Sequence, residues 1–356
     1  MSTLLKRVRI VGSGLIGTSI GLGLVAKGIS VEMADLDPKA QALAQDLMGS
    51  KSDSSECDLV IFAVPPRALQ GLLNTEFQLN PKSSFIDISS VKTEPKALVA
   101  DSEIPRERFL PTHPMAGREF GGAESARADL FISRPWIIDS SGVRADVVAL
   151  GAELIALLGG HLIDMPAADH DRAVARVSHL PQILSSLTAA QLIGTSPEAM
   201  ELAGAGLRDT TRIAASDPKL WREIISANAQ EIKPLLKAAQ NDLAELIDSL
   251  DDIEAIEHFM TKGRQGRALI PGKHGGVARS FTSLPIVIED KPGQLAALFD
   301  ECAEANVNVE DLTIEHSPEQ FTGLITLALS ADDAEKLALH LQEKGWSVHA
   351  PRGPRS

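Results

Sequence analysis

One of the nine histidines stands where an acid–base group would be useful. His113 lies in Leu110-Pro111-Thr112-His113-Pro114-Met115-Ala116-Gly117, a loop bounded by proline and glycine that follows a series of strand-like segments. Removing a hydride from an alcohol carbon requires a group to take the hydroxyl proton, and imidazole suits because its pKa is near neutrality. Upstream, Asp87-Ile88-Ser89-Ser90-Val91-Lys92 leaves another strand end with a hydroxyl, that of Ser90, able to orient an imidazole. A second constellation, Gly12-Ser13-Gly14-Leu15-Ile16-Gly17, follows the strand Val8 to Val11 and opens a helix. The first glycine allows a tight turn, the second lets backbone N–H groups approach a pyrophosphate, and the third lets helix pack on strand. Asp35 comes 18 residues after Gly17 and ends the second strand. A carboxylate there accepts the ribose 2′-hydroxyl and repels a 2′-phosphate, favouring NAD over NADP. The run Leu59 to Val64 ends in Pro65-Pro66 and brings Val64 to the sheet edge where nucleotides lie. Gly17-Thr18-Ser19-Ile20-Gly21 matches a hydrolase elbow only in spelling, because Ser19 falls inside the helix rather than directly after a strand.

The elements that must hold these groups fall into zones. Residues 1–165 alternate short apolar runs (Val8 to Val11, Val31 to Ala34, Leu59 to Val64, Ser84 to Ile88, Trp136 to Ile138) with helical patterns, which predicts an α/β Rossmann domain with a mostly parallel sheet. Residues 166–262 lose the strand signal and carry Ala- and Leu-rich stretches such as Ile183 to Leu202 and Lys233 to Leu250, an all-helical domain. Residues 263–280 contain five glycines, one proline, four basic residues and no acid, the composition of a linker. Residues 281–356 read as strand, helix, strand, strand, helix, strand, a ferredoxin-like βαββαβ order.

Composition narrows the function classes. The chain of 356 residues has a net charge of −14, which repels nucleic-acid phosphates, and 4% aromatics with no Tyr, which leaves few stacking platforms. Two distant cysteines, Cys57 and Cys302, offer neither a disulfide framework nor a paired-cysteine metal site, consistent with a reducing cytoplasm. The glycine-interrupted stretch after Arg9 is a poor signal peptide, and no run is long enough to span a bilayer.

Several motifs together resemble the prephenate dehydrogenases, NAD-linked enzymes of tyrosine biosynthesis. Asp87 to Lys92 is similar to the family's DxxSxK stretch, His113 to Gly117 to its HPMAG loop, and Ser178-His179-Leu180-Pro181 to its SHLP motif. Gly206 to Ala214, followed by Ser216-Asp217-Pro218 and Trp221, completes the set. The resemblance implies that His113 accepts the C4 hydroxyl proton as hydride leaves, that Ser90 orients His113, and that Arg212 anchors a substrate carboxylate. It implies pocket roles for His179 and Arg208, no metal, and dimerisation through the helical domain. The tail, with Asp290-Lys291-Pro292-Gly293-Gln294-Leu295, resembles an ACT domain, an amino-acid-sensing module, with tyrosine the implied effector at Asp290, Pro292, Gly293, Gln294 and Leu295. Two alternatives stay open: arogenate dehydrogenase, whose substrate bears an ammonium in place of the keto group, and a catalytically inactive nucleotide-bound amino-acid sensor.

Overall fold

The computed structural model describes residues 4–49, 56–118, 121–270, 281–316 and 322–353. The chain forms two compact units, Met1–Ala244 and Glu245–Ser356. The first is built on a seven-stranded sheet of β1 (Arg7–Val11), β2 (Ser30–Ala34), β3 (Leu59–Phe62), β4 (Ser84–Asp87), β5 (Phe109–Pro114), β6 (Pro135–Ile138) and β7 (His161–Asp164). Their spatial order is β2-β1-β3-β4-β5-β6-β7. Strands β1 to β5 run parallel, β6 pairs antiparallel with β5, and β7 is parallel to β6.

Strand alternation builds two cores. Val8, Ile10, Leu59 and Ile61 enter one buried cluster, while Val11, Val60 and Phe62 enter the other. Successive side chains point to opposite faces, so a sheet apolar on both sides must be covered on both sides. Helices Leu15–Val25, Pro38–Met48, Pro66–Leu79, Thr93–Ala100 and Ala145–Leu157 provide that cover. Because β2 and β3 flank β1, strand order reverses there, and the crevice at the carboxyl ends of β1 and β3 is where such sheets bind ligands.

His113 lies in a strand, not in the loop expected for it. Phe109 to Pro111 pair with β4, and Thr112 to Pro114 pair with β6. Pro111 and Pro114 therefore end their respective ladders, where a missing N–H costs least, and the prolines that suggested a loop are compatible with a strand.

The helical part of the first unit follows without a break at residue 165. Its first helix runs Ala167–Val174, widens to a π-helical turn at Ala175–His179, and continues as Leu180–Ala190. Shorter helices Pro197–Met200 and Ala205–Thr211, a 3₁₀ turn Arg212–Ala215 and the helix Pro218–Ala227 come next, then the helix Ala229–Asp248. These last helices bury little: Pro218–Ala227 has no buried residue and Ala229–Asp248 only Ile232.

In the second unit the helix Ile253–Ala268 includes Gly263 and Gly266, so the expected linker begins inside a helix; residues 271–280 lie outside the described residues. The tail folds as β8 (Thr282–Glu289), helix Gln294–Glu304, β9 (Asp311–His316), β10 (Thr322–Leu329), helix Ala331–Glu343 and β11 (Ser347–Val348). Its four strands lie in the order β11-β8-β10-β9, with every pairing antiparallel. Leu284, Ile286, Ile325, Leu327, Leu298 and Leu337 form a core of its own. Among the described residues no helix is long and apolar enough to cross a membrane.

Candidate active site

Two cavities open on the first unit. The smaller, about 390 Å³, lies at the carboxyl ends of β1, β2 and β3 and is lined by Gly12, Gly14, Asp35, Leu36, Ala63 and Val64, among others. Gly12 has φ +113°, and a Cβ there would stand 2.3 Å from the Ala63 carbonyl oxygen. A Cβ at Gly17 would meet the Gly12 carbonyl oxygen at 2.1 Å, so helix and strand approach as the third glycine requires. Gly14 starts the helix with no side chain capping it, leaving first-turn N–H groups for an anion. The hydroxyl of Ser13, 1% exposed, has no hydrogen-bond partner among the described residues. Asp35 accepts the Ser13 N–H at 2.6 Å and the Asp37 N–H at 2.9 Å, pinning the end of β2 to the glycine turn. Ser13, Leu15, Ile16 and Gly17 are not among the residues that line this cavity; the last three belong to the helix that shapes it. Uncapped N–H groups, an unpartnered hydroxyl and a carboxylate at the strand end fit a dinucleotide.

The larger cavity, about 740 Å³, is lined by Ser90, His113, Ser178, His179, Arg212, Asp217 and Trp221, with Arg118 and Ser125 from the segment after β5. It gathers four of the five residues assigned to catalysis or substrate. Arg208 is the exception: its guanidinium turns back to the Ala203 carbonyl at 2.8 Å, on the exposed side of its helix. Four residues on, the α-helix gives way to a 3₁₀ turn that starts at Arg212, which does line the cavity.

The expected Ser90 to His113 bond is replaced by a different partner. His113 Nδ1 lies 2.9 Å from His170 Nε2, and His170 Nδ1 lies 2.8 Å from Asp171 Oδ1. Ser90, half-buried, lines the same cavity. Burial, and next the adjacent His170 ring, hold the His113 imidazole well below its usual 6.5. His179, 2% exposed, sits at the end of the π turn. Asn228 Nδ2 donates to the Asp171 carbonyl at 2.8 Å and lies 3.1 Å from His179 Nδ1, leaving Nε2 for the cavity. Burial pushes His179 down to about 4, so it is a neutral donor at physiological pH.

Beneath the cavity lies an ionic lock. Lys92, 0% exposed, holds Asp87 Oδ2 at 2.6 Å and also donates to the Thr112 carbonyl, next to His113. Burial lowers the ammonium pKa while Asp87 opposes the shift. This lock ties the ends of β4 and β5 together. Sequence reasoning missed His170, Asp171, Asn228 and Arg118; the histidine between two acids, Asp169-His170-Asp171, was the available signal.

A nucleotide crevice beside a histidine-lined cavity, on a Rossmann sheet closed by helices, defines a dinucleotide-dependent oxidoreductase. Residues 21–164 match the family profile of the prephenate dehydrogenase nucleotide-binding domain, and residues 166–262 that of the prephenate dehydrogenase dimerization domain. The chain belongs to the prephenate dehydrogenase family. It is 30% identical over 286 residues to cyclohexadienyl dehydrogenase of Zymomonas mobilis, covering 75% of this chain and 97% of that one. With prephenate dehydrogenase of Lactococcus lactis it is 27% identical over 363 residues, covering 96% and 98%. The fold is shared with prephenate dehydrogenase from A. aeolicus, solved with hydroxyphenyl propionate and NAD+, at TM-score 0.65 and 24% identity, over 76% of this chain and 100% of that one.

Proposed function

We propose that the protein catalyses NAD-dependent oxidative decarboxylation of prephenate to 4-hydroxyphenylpyruvate. The observation that carries this reading is the cavity holding His113, His179 and Arg212 together beside the nucleotide crevice. NAD, held by the Gly12–Gly17 turn and Asp35, supplies the hydride acceptor. His113 Nε2 takes the C4 hydroxyl proton as the C4 hydride departs, and Ser90 stands at the same hydroxyl. Arg212 receives a carboxylate through two parallel bonds, and His179 donates to the side chain. The C1–carboxylate bond then breaks, its electron pair enters the ring, and CO₂ leaves an aromatic product. Arg118 and Arg212 face this cavity against one carboxylate, Asp217, whose Oδ1 already accepts the Lys219 N–H. That balance favours a dianion over arogenate, which carries an added ammonium. Following NADH absorbance with each substrate tests it: turnover with prephenate at least about tenfold above arogenate is expected, one 1.4 kcal/mol discrimination, and the reverse order overturns the assignment.

We infer further that the βαββαβ tail is an ACT domain that binds tyrosine at the turn Asp290 to Leu295, where Gly293 opens a helix at φ +91° with no side-chain cap. A chain ending at Gly276 should keep turnover and lose sigmoidal inhibition by tyrosine; unchanged inhibition would move the effector site elsewhere. The apolar side chains left exposed on the helices, Leu184, Leu187 and Leu243 among them, support a homodimer. The two buried, unbonded cysteines fit the cytoplasm.

A further inference from the structure

The His113 ring can act as a base only if its cavity-facing nitrogen carries a lone pair, and the bonds behind it bear on which nitrogen that is. Asp171 Oδ1 accepts the Lys92 backbone N–H at 2.8 Å, and Oδ2 accepts the Thr93 N–H at 2.9 Å. Both oxygens are therefore acceptors, the carboxylate is ionised, and it is fixed to the segment that follows β4. Although burial opposes ionisation, hydrogen bonds from His170, Thr93 and Lys92 keep Asp171 below the usual carboxylate value. An acceptor at 2.8 Å makes His170 Nδ1 the protonated nitrogen. A His170 ring with its one proton on Nδ1 presents a bare Nε2, which can only accept, and in that arrangement the proton between the two imidazoles belongs to His113 Nδ1. The outer nitrogen of His113, Nε2, is left unprotonated.

We propose that His170 and Asp171 are positioning residues that hold His113 in the one tautomer able to take the substrate's proton. The assignment rests on the reading of His113 as the base. His170 is 1% exposed and is not itself among the residues that line the cavity, so it acts through His113, which is. When His113 Nε2 receives the proton, the resulting imidazolium keeps its Nδ1–H bond to His170, and the ionised Asp171 lies behind it.

The test is ¹⁵N NMR of the histidine-labelled, full-length protein without substrate, with His113 assigned by its loss in His113→Asn. A bare Nε2 and protonated Nδ1 on His113 are expected; a proton on Nε2 of the resting protein overturns the proposal. Kinetics then separate positioning from packing. His170→Leu removes the acceptor and should lower kcat about 10²–10⁴-fold, the scale of a misplaced tautomer, with KM changed less than about threefold. His170→Gln keeps an amide oxygen toward His113 and an amide N–H toward Asp171, and should recover at least about tenfold of that loss. Parental kcat in the Leu variant, or no recovery in the Gln variant, overturns the proposal. Full turnover by His113→Asn would instead sink the base assignment itself, leaving the measured tautomer untouched.

Discussion

The two cavities are made of different material. The nucleotide crevice is lined by glycines and small or aliphatic side chains at the ends of three neighbouring strands, Gly12, Gly14, Ala34, Ala63 and Val64 among them, and by Ala68 and Leu72 of the helix after β3. The larger cavity takes its polar groups from segments as distant as Ser90, His113, His179 and Arg212, and its two histidines are held by bonds to His170 and Asn228. A backbone-built site is sensitive to anything that moves the main chain and tolerant of side-chain exchange. A side-chain-built site is the reverse, and depends on the polar contacts beneath it.

Substitutions should pull the two sites apart. The largest effect is expected of His113→Asn, a fall in kcat of about 10²–10⁴-fold, with NAD affinity by calorimetry unchanged; a matching loss of NAD binding would erase the distinction. Removing the lock with Lys92→Met leaves Asp87 buried without its partner and should cost about 3–5 kcal/mol of stability in denaturant titration. Arg212→Gln should raise the substrate KM by about 10–100-fold, the scale of a hydrogen bond between charged groups, and spare kcat. Asp35→Ser, on the other side of the comparison, should narrow the NAD to NADP preference by about tenfold without touching substrate KM. The pH profile sharpens the same contrast. Because burial depresses the His113 pKa, the neutral base persists as pH falls through 6.5, and the acid limb of kcat/KM should lie below that value. A limb at or above 6.5 would mean that the ring is solvated.

The crevice was readable because its whole logic is local: strand, glycine turn, helix and acid fall within one βαβ unit, as do the strands β1 and β2 that carry them. The cavity was readable only where a run of residues has a recognisable pattern, which is how His113, Ser90, His179 and Arg212 were found together. His170 escaped because its bond to His113 joins positions 57 apart, and no spacing rule connects them. Arg208 came from the resemblance alone, and nothing in its own spacing told that its guanidinium bonds the Ala203 carbonyl rather than lining the cavity with Arg212. Pro111 and Pro114 hid β5 by signalling a turn at positions where the ladders happen to end. The glycines at Gly263 and Gly266 signalled a linker within a helix, where glycine is costly but allowed.

The π turn at Ala175–His179 has a rotational consequence. At roughly 100° per residue, nine residues of regular α-helix would set His170 and His179 about 180° apart, on opposite sides of the rod. One inserted residue takes up its own share of the winding without advancing the regular pattern, which brings the two rings to about 80°. Asn228 can then span from the Asp171 carbonyl to the His179 ring. The insertion thus works as a phase shift that lets one rod carry both the histidine behind His113 and the histidine that lines the cavity. Deleting one residue from that turn should give a more regular helix with a higher Tm that still holds the two rings about 80° apart, because eight residues at roughly 100° each reproduce the same angle.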